Sequence, residues 1–210
     1  MTSLVLIVAL LQQDPTYAAL SRAQGLGPAD RLVRDGKYLE AAVAYRNVLL
    51  SPGDREAVRI PLALSLLAKG DAGYAGIELR RAHMLYPDFS RLVLDPAELF
   101  GSKGVLAKAA DAAVAREKES DVAEVNAVAA FAYLLEGQVD RGRTALAKYV
   151  QSRGNDAFAA QLGAALAKPV AANVPPPPAP APVQRGGDPV RAGPRFIEPQ
   201  SRPRAEILSR

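Results

Sequence analysis

The sequence predicts an all-α fold: a solenoid of about four helix hairpins, closed by a C-terminal capping helix and followed by a disordered proline- and arginine-rich tail. Three observations predict it. Glycines stand at Gly36, Gly70, Gly104 and Gly137, spaced 34, 34 and 33 residues apart. Four more columns keep register with them: Ala29, Ala63, Ala97, Ala130; Leu32, Leu66, Phe100, Tyr133; Ala41, Ala75, Ala109, Gly142; and Tyr45, Leu79, Ala113, Leu146. Apolar residues between the glycines recur at the helical period, and a fixed period of this length marks a repeat array.

Residues 4–11 (Leu-Val-Leu-Ile-Val-Ala-Leu-Leu) form an uninterrupted apolar run, too short to span a bilayer as a helix. It has the length of a signal-peptide core, but no Lys or Arg precedes it and the cleavage site offered by Thr16-Tyr17-Ala18 is poor. Packing on the first repeat is the other reading, so export and cytoplasm stand equally open. Residues 12–27, with Gln12-Gln13-Asp14-Pro15 and Gly25-Leu26-Gly27-Pro28, read as linker. In the first repeat Pro28 permits only a short opening helix. The second helix there turns Tyr38, Ala41, Ala42, Tyr45, Val48 and Leu49 inward.

The second repeat is the most regular. Leu62, Ala63, Leu66 and Leu67 share a face before Gly70, Ala75, Leu79, Ala82 and Leu85 share one after it, and Pro87 stops the pair. The third repeat opens at Asp95-Pro96, an N-cap followed by proline at the first helical position, with a helix of about two turns. Its second helix runs from Gly104 through Lys118, with Leu106, Ala109 and Ala113 inward. Ser120-Asp121 with Glu124 makes a capping-box start for the fourth repeat, whose first helix carries Val125, Val128, Phe131, Leu134 and Leu135. A last amphipathic segment, residues 155–168, carries Phe158, Leu162, Ala165 and Leu166 on one face and covers the open end of the array.

This pattern resembles the tetratricopeptide repeat, an antiparallel helix pair of about 34 residues. The match is closest over residues 56–88, where Leu62-Ala63, Leu66, Gly70, Ala75, Leu79, Ala82 and Pro87 fall at the family's positions. Residues 121–154 are a good second match, and the third repeat is the most degenerate. The resemblance implies a protein–protein interaction scaffold, in which the first helices of successive repeats line a concave groove for a partner peptide or helix. Residues ten, six and three before each turn glycine face that groove. Here they are Leu26, Asp30 and Val33; Ile60, Leu64 and Leu67; Glu98 and Gly101; and Ala127, Phe131 and Leu134. Apolar Ile60, Leu64, Ala127 and Phe131 depart from the Lys and Asn of family members that clamp a C-terminal carboxylate. An apolar partner segment is the expectation, with Asp30, Val33, Ile60, Leu64, Leu67, Ala127, Phe131 and Leu134 as its site.

From Pro169 the composition changes. Eleven of the chain's 17 prolines lie from there on, four of them consecutive at residues 175–178, which favours extended polyproline II. Residues 184–210 carry six Arg against Asp188, Glu198 and Glu206, too little of it apolar to offset the entropy of ordering. The tail supplies +3 of the formal +4, leaving residues 1–168 at +1 (20 basic minus 19 acidic). The division is therefore 1–27, 28–168 and 169–210.

With no Cys and one His, the chain offers no disulfide, no thiolate nucleophile and no multi-histidine metal site of its own. His83 has no recognisable carboxylate or hydroxyl partner in sequence, and no glycine-rich phosphate loop follows a strand. No enzymatic activity, metal or cofactor is expected. Nucleic acid is disfavoured because basic residues of the array are interleaved with acids. The alternative to the groove is the tail, gripping an acidic protein, a membrane or a nucleic acid while the array carries it; membrane association is open to the N-terminal run as well.

Overall fold

A computed structural model describes residues 16–53, 55–86, 92–117 and 122–167, all within a compact unit reaching residue 170. The apolar run at 4–11, the Pro87 stop, the Ser120-Asp121 cap and the tail from Pro169 lie outside the described residues. Within them the protein is all-helical, with ten α-helices and one 3-10 turn.

The residues expected as linker contain α1 (Tyr17–Gln24). Thr16 caps its start, accepting from the Ala19 N–H at 3.3 Å, and Gly25 ends it in the left-handed region at φ 68°. The first hairpin is α2 (Gly27–Arg34) and α3 (Tyr38–Leu49), with Pro28 at the start of α2 as its fixed φ allows. A 3-10 turn (Glu56–Val58) leads into α4 (Arg59–Lys69). Gly70 then turns at φ 96° into α5 (Ala72–Leu85), where a side chain would be strained.

The third pair is α6 (Pro96–Phe100) and α7 (Val105–Val114). Asp95 caps α6 as expected, its carboxylate accepting from the Ala97 N–H at 2.8 Å, but the helix is five residues long rather than two turns. Helix α7 stops at Val114, short of Lys118. Its chain leaves the helical path where the Glu117 carboxylate meets the Asn126 amide at 2.7 Å and Lys148 at 3.0 Å. The fourth pair is α8 (Val122–Leu135) and α9 (Val139–Arg153), and α10 (Ala157–Ala167) follows. Asp156 caps α10 through the Ala159 N–H, and Phe158, Leu162 and Leu166 are buried as the periodicity predicts.

The first two pairs and the last stack in sequence order: α2 on α3, α3 on α4, α4 on α5, α8 on α9, α9 on α10. The third pair breaks the row. Helix α5 packs directly on α8, while α6 lies against α2 and α7 against both α4 and α8. Gly76 makes the α5–α8 contact close, since a Cβ there would collide with the Glu124 backbone. Helices α4 and α8 are thus enclosed on several sides, and every residue from Ile60 to Leu67 and from Val125 to Tyr133 is buried. A helix apolar or small all round belongs in a core. Three positions of the small-residue column are close contacts, since Ala41 and Ala75 have no exposed surface and a Cβ at Gly142 would stand 3.3 Å from the Ala130 carbonyl oxygen, but the fourth, Ala109, is only half-buried.

Candidate interaction site

The eight groove positions do not line an open groove. Val33, Ile60, Leu64, Leu67 and Ala127 have no exposed surface, Asp30 and Phe131 are 5% exposed, and Leu134 packs half-buried on the same core. The covering elements are the chain's own: α7 and α8 on α4, and α6 on α2. Leu26 is buried too, while Glu98 remains exposed. The repeat register identified which side chains turn toward the first-helix face. It carried no information that the third pair would fold onto that face.

Asp30 is the one charged residue among the eight. Its Oδ1 accepts the hydroxyls of Tyr17 and Tyr45, each at 2.5 Å, and its Oδ2 accepts the Ser21 hydroxyl at 2.5 Å. Burial, reinforced by the Asp30 charge, pushes both phenols well above the ordinary tyrosine range. They therefore act as donors that hold α1, α2 and α3 together.

Other ionisable groups also tie elements to one another. Buried Glu78 pairs with Arg59 at 2.7 Å and Arg81 at 2.8 Å. Glu124 at the start of α8 takes Arg80 from α5 and Arg153 from α9. Glu136 reaches back to α7, its carboxylate accepting the N–H groups of Gly104 and Leu106. Arg141 pairs with Asp111 and lies over the Tyr133 ring, 4.4 Å from its centroid. His83 meets Phe158 edge-on at 5.5 Å, joining α5 to α10. Burial lowers its pKa, which Asp156 and Gln161 partly counter. Tyr149 is pushed up to about 12 by burial and its hydrogen bond to Asp156, at 2.6 Å. Among the described residues no three metal-ligating side chains gather, and no helix is long and apolar enough to cross a membrane.

A larger opening lies elsewhere. Because α5 and α7 each pack on α4 and α8, a cleft of about 740 Å³ remains between them. Its walls carry small residues, Ala72 and Gly73 on one side and Ala109, Ala112 and Ala113 on the other, together with the charged Lys69, Asp71, Arg116, Glu117, Glu124 and Arg153. Tyr74 and Ile77 stand at its mouth, 56% and 37% exposed. Arg46 of α3 lies 5.9 Å from the Tyr74 ring centroid, beside the exposed Val43 one turn earlier. Leu39 and Val43 of α3, and Leu50 just after it, are exposed as well. The expected inward stripe of α5 is thus joined by a second, outward one. Its mark was present, since Tyr74, Ile77 and Met84 recur at helical spacing opposite Ala75, Leu79 and Ala82. Leu85, expected inward, is half exposed with them.

Comparison with protein-family models, curated proteins and solved structures found no match to this chain.

Proposed function

We propose that this chain is a non-enzymatic protein-interaction module, a tetratricopeptide-like array whose third repeat is folded inward and whose partner surface is the cleft between α5 and α7. The observation that supports it is the cleft itself. Tyr74 and Ile77 stand exposed at its mouth, with Arg46 of α3 against the Tyr74 ring, whereas the concave positions are filled by the chain's own helices. A contiguous exposed apolar surface is the usual mark of a partner site. The partner is a helix or extended segment with an apolar face. Charged side chains, Lys69, Asp71, Arg116, Glu117, Glu124 and Arg153, also line the cleft, so a partner should carry polar groups beside its apolar face and bind less tightly as salt rises.

The test uses the full chain with Tyr74→Asp or Ile77→Asp. Both positions are exposed enough to accept a carboxylate, so helical content should hold while partner capture falls. Normal capture by these variants, with capture lost on removing residues 169–210, would transfer the function to the tail.

A further inference from the structure

The charges around the α5–α7 cleft are unevenly partnered. Its carboxylates are each engaged by a base of this chain. Glu124 takes Arg80 at 3.2 Å and Arg153 at 2.5 Å, and Glu117 takes Lys148 at 3.0 Å and the Asn126 amide at 2.7 Å. Asp71 faces Lys69 at 3.6 Å. Two guanidinium groups lack such a partner. Arg116, just beyond the end of α7, lines the cleft and is exposed, and the exposed Arg46 lies against the Tyr74 ring at its mouth. Neither meets a carboxylate among the described residues. The cleft therefore carries surplus positive charge beside the exposed Tyr74 and Ile77.

We propose that the segment received by this cleft is acidic: a helix or extended stretch whose apolar side chains meet Tyr74, Ile77 and the alanine wall, and whose Asp or Glu side chains pair with Arg116 and Arg46. The inference rests on the cleft being the partner surface and adds the charge of the partner. Each guanidinium can donate two parallel hydrogen bonds to one carboxylate, which fixes the orientation of the segment as well as attracting it. A basic segment would meet the two free cations, and would find the carboxylates already engaged, so like charge turns it away. The same reasoning disfavours the chain's own tail as occupant, since residues 184–210 carry six Arg against three acids. Residues 4–11 carry no charge to offer.

The probe is a phage-displayed library of randomised peptides selected on the full chain, with the enriched peptides then synthesised and their Kd measured. Tyr74→Ser removes the ring and leaves the charge, so peptides seated in the cleft should bind it at least about tenfold more weakly than the unmodified chain. Those peptides should carry Asp or Glu beside apolar residues. Arg46→Glu combined with Arg116→Glu should weaken them about tenfold, and selection on that variant should enrich Lys and Arg instead. All three positions are exposed, so none of these changes disturbs the core. Cleft-dependent peptides with no acidic preference, or with equal affinity for the charge-reversed variant, overturn the inference and leave the cleft as the partner surface. Peptides that bind Tyr74→Ser undiminished, or no enriched peptide at all, overturn both. Peptides selected only once residues 169–210 are removed would give the cleft to the chain's own tail, and the acidic partner would be refuted.

Discussion

Gly76 and Gly142 are both buried helix glycines, and their neighbours make them unequal. At Gly76 an added methyl meets the Glu124 backbone, which cannot yield without parting α5 from α8. Overpacking of this kind costs about 1–3 kcal/mol, more than the roughly 1 kcal/mol of helix propensity that alanine returns. Gly76→Ala should therefore lower the denaturant midpoint. At Gly142 an added methyl meets Leu166 Cδ2 at 2.7 Å and the Ala130 carbonyl oxygen at 3.3 Å, and Leu166 is itself buried, so Gly142→Ala should also lower the midpoint, though by less than Gly76→Ala because a side-chain end yields more cheaply than backbone. Ala75→Leu, at a fully buried position of the repeat column, should cost about 1–3 kcal/mol. The column containing Ala75 and Gly142 was legible because it recurs at the repeat period. Gly76 was not, since it stands one residue outside the column and its importance comes from α8, a neighbour that no local pattern names. The burial of Leu64 and Phe131 likewise changes what their substitution means. Leu64→Asp or Phe131→Asp should unfold the array, because each buries an unpaired charge, and neither can isolate a binding defect.

At the scale of elements, caps written in adjacent residues were legible and caps supplied from afar were not. Asp95 announces α6 by standing directly before Pro96. The start of α7 has no side chain of its own to accept its N–H groups; Glu136, 32 residues from Gly104, does so. A carboxylate there also meets the favourable end of the helix dipole. Glu136→Ala should cost about 1 kcal/mol, with exchange of the first α7 amides rising before that of α8. The docking of α10 carries a pH dependence of known sign. Burial holds the folded-state pKa of His83 below its unfolded value, so the unfolded chain binds the proton more readily. Stability from this group is complete above the ordinary histidine pKa and is lost as pH falls through it to the folded pKa. Asp156, whose pKa is lowered despite burial by Tyr149, the Ala159 N–H and Arg80, titrates below that window. His83 is the only histidine, so the melting temperature should fall between about pH 7.5 and about 5.5 and do so less in His83→Gln.

For the whole molecule, the sequence specifies helix pairs and their turns more firmly than it specifies their neighbours. Helical periodicity reports which face is apolar, and α4 and α8 were each assigned one or two such faces. Their enclosure follows from α7 lying across both, which leaves α5 in contact with α8 and opens the cleft. The third pair, with its five-residue α6, lies on α2, α4 and α8 while α5 meets α8 directly, neighbours that no local pattern names. The central claim is that partners meet the outer cleft, and site-specific photocrosslinking in the full chain tests it most directly. A photoreactive residue at Tyr74 is compared with one at Arg143, an exposed position on α9. We expect partner adducts at position 74 and none at 143, persisting when the chain ends at Lys168. Absence of adducts at 74, together with loss of partner on removing the tail, would contradict it.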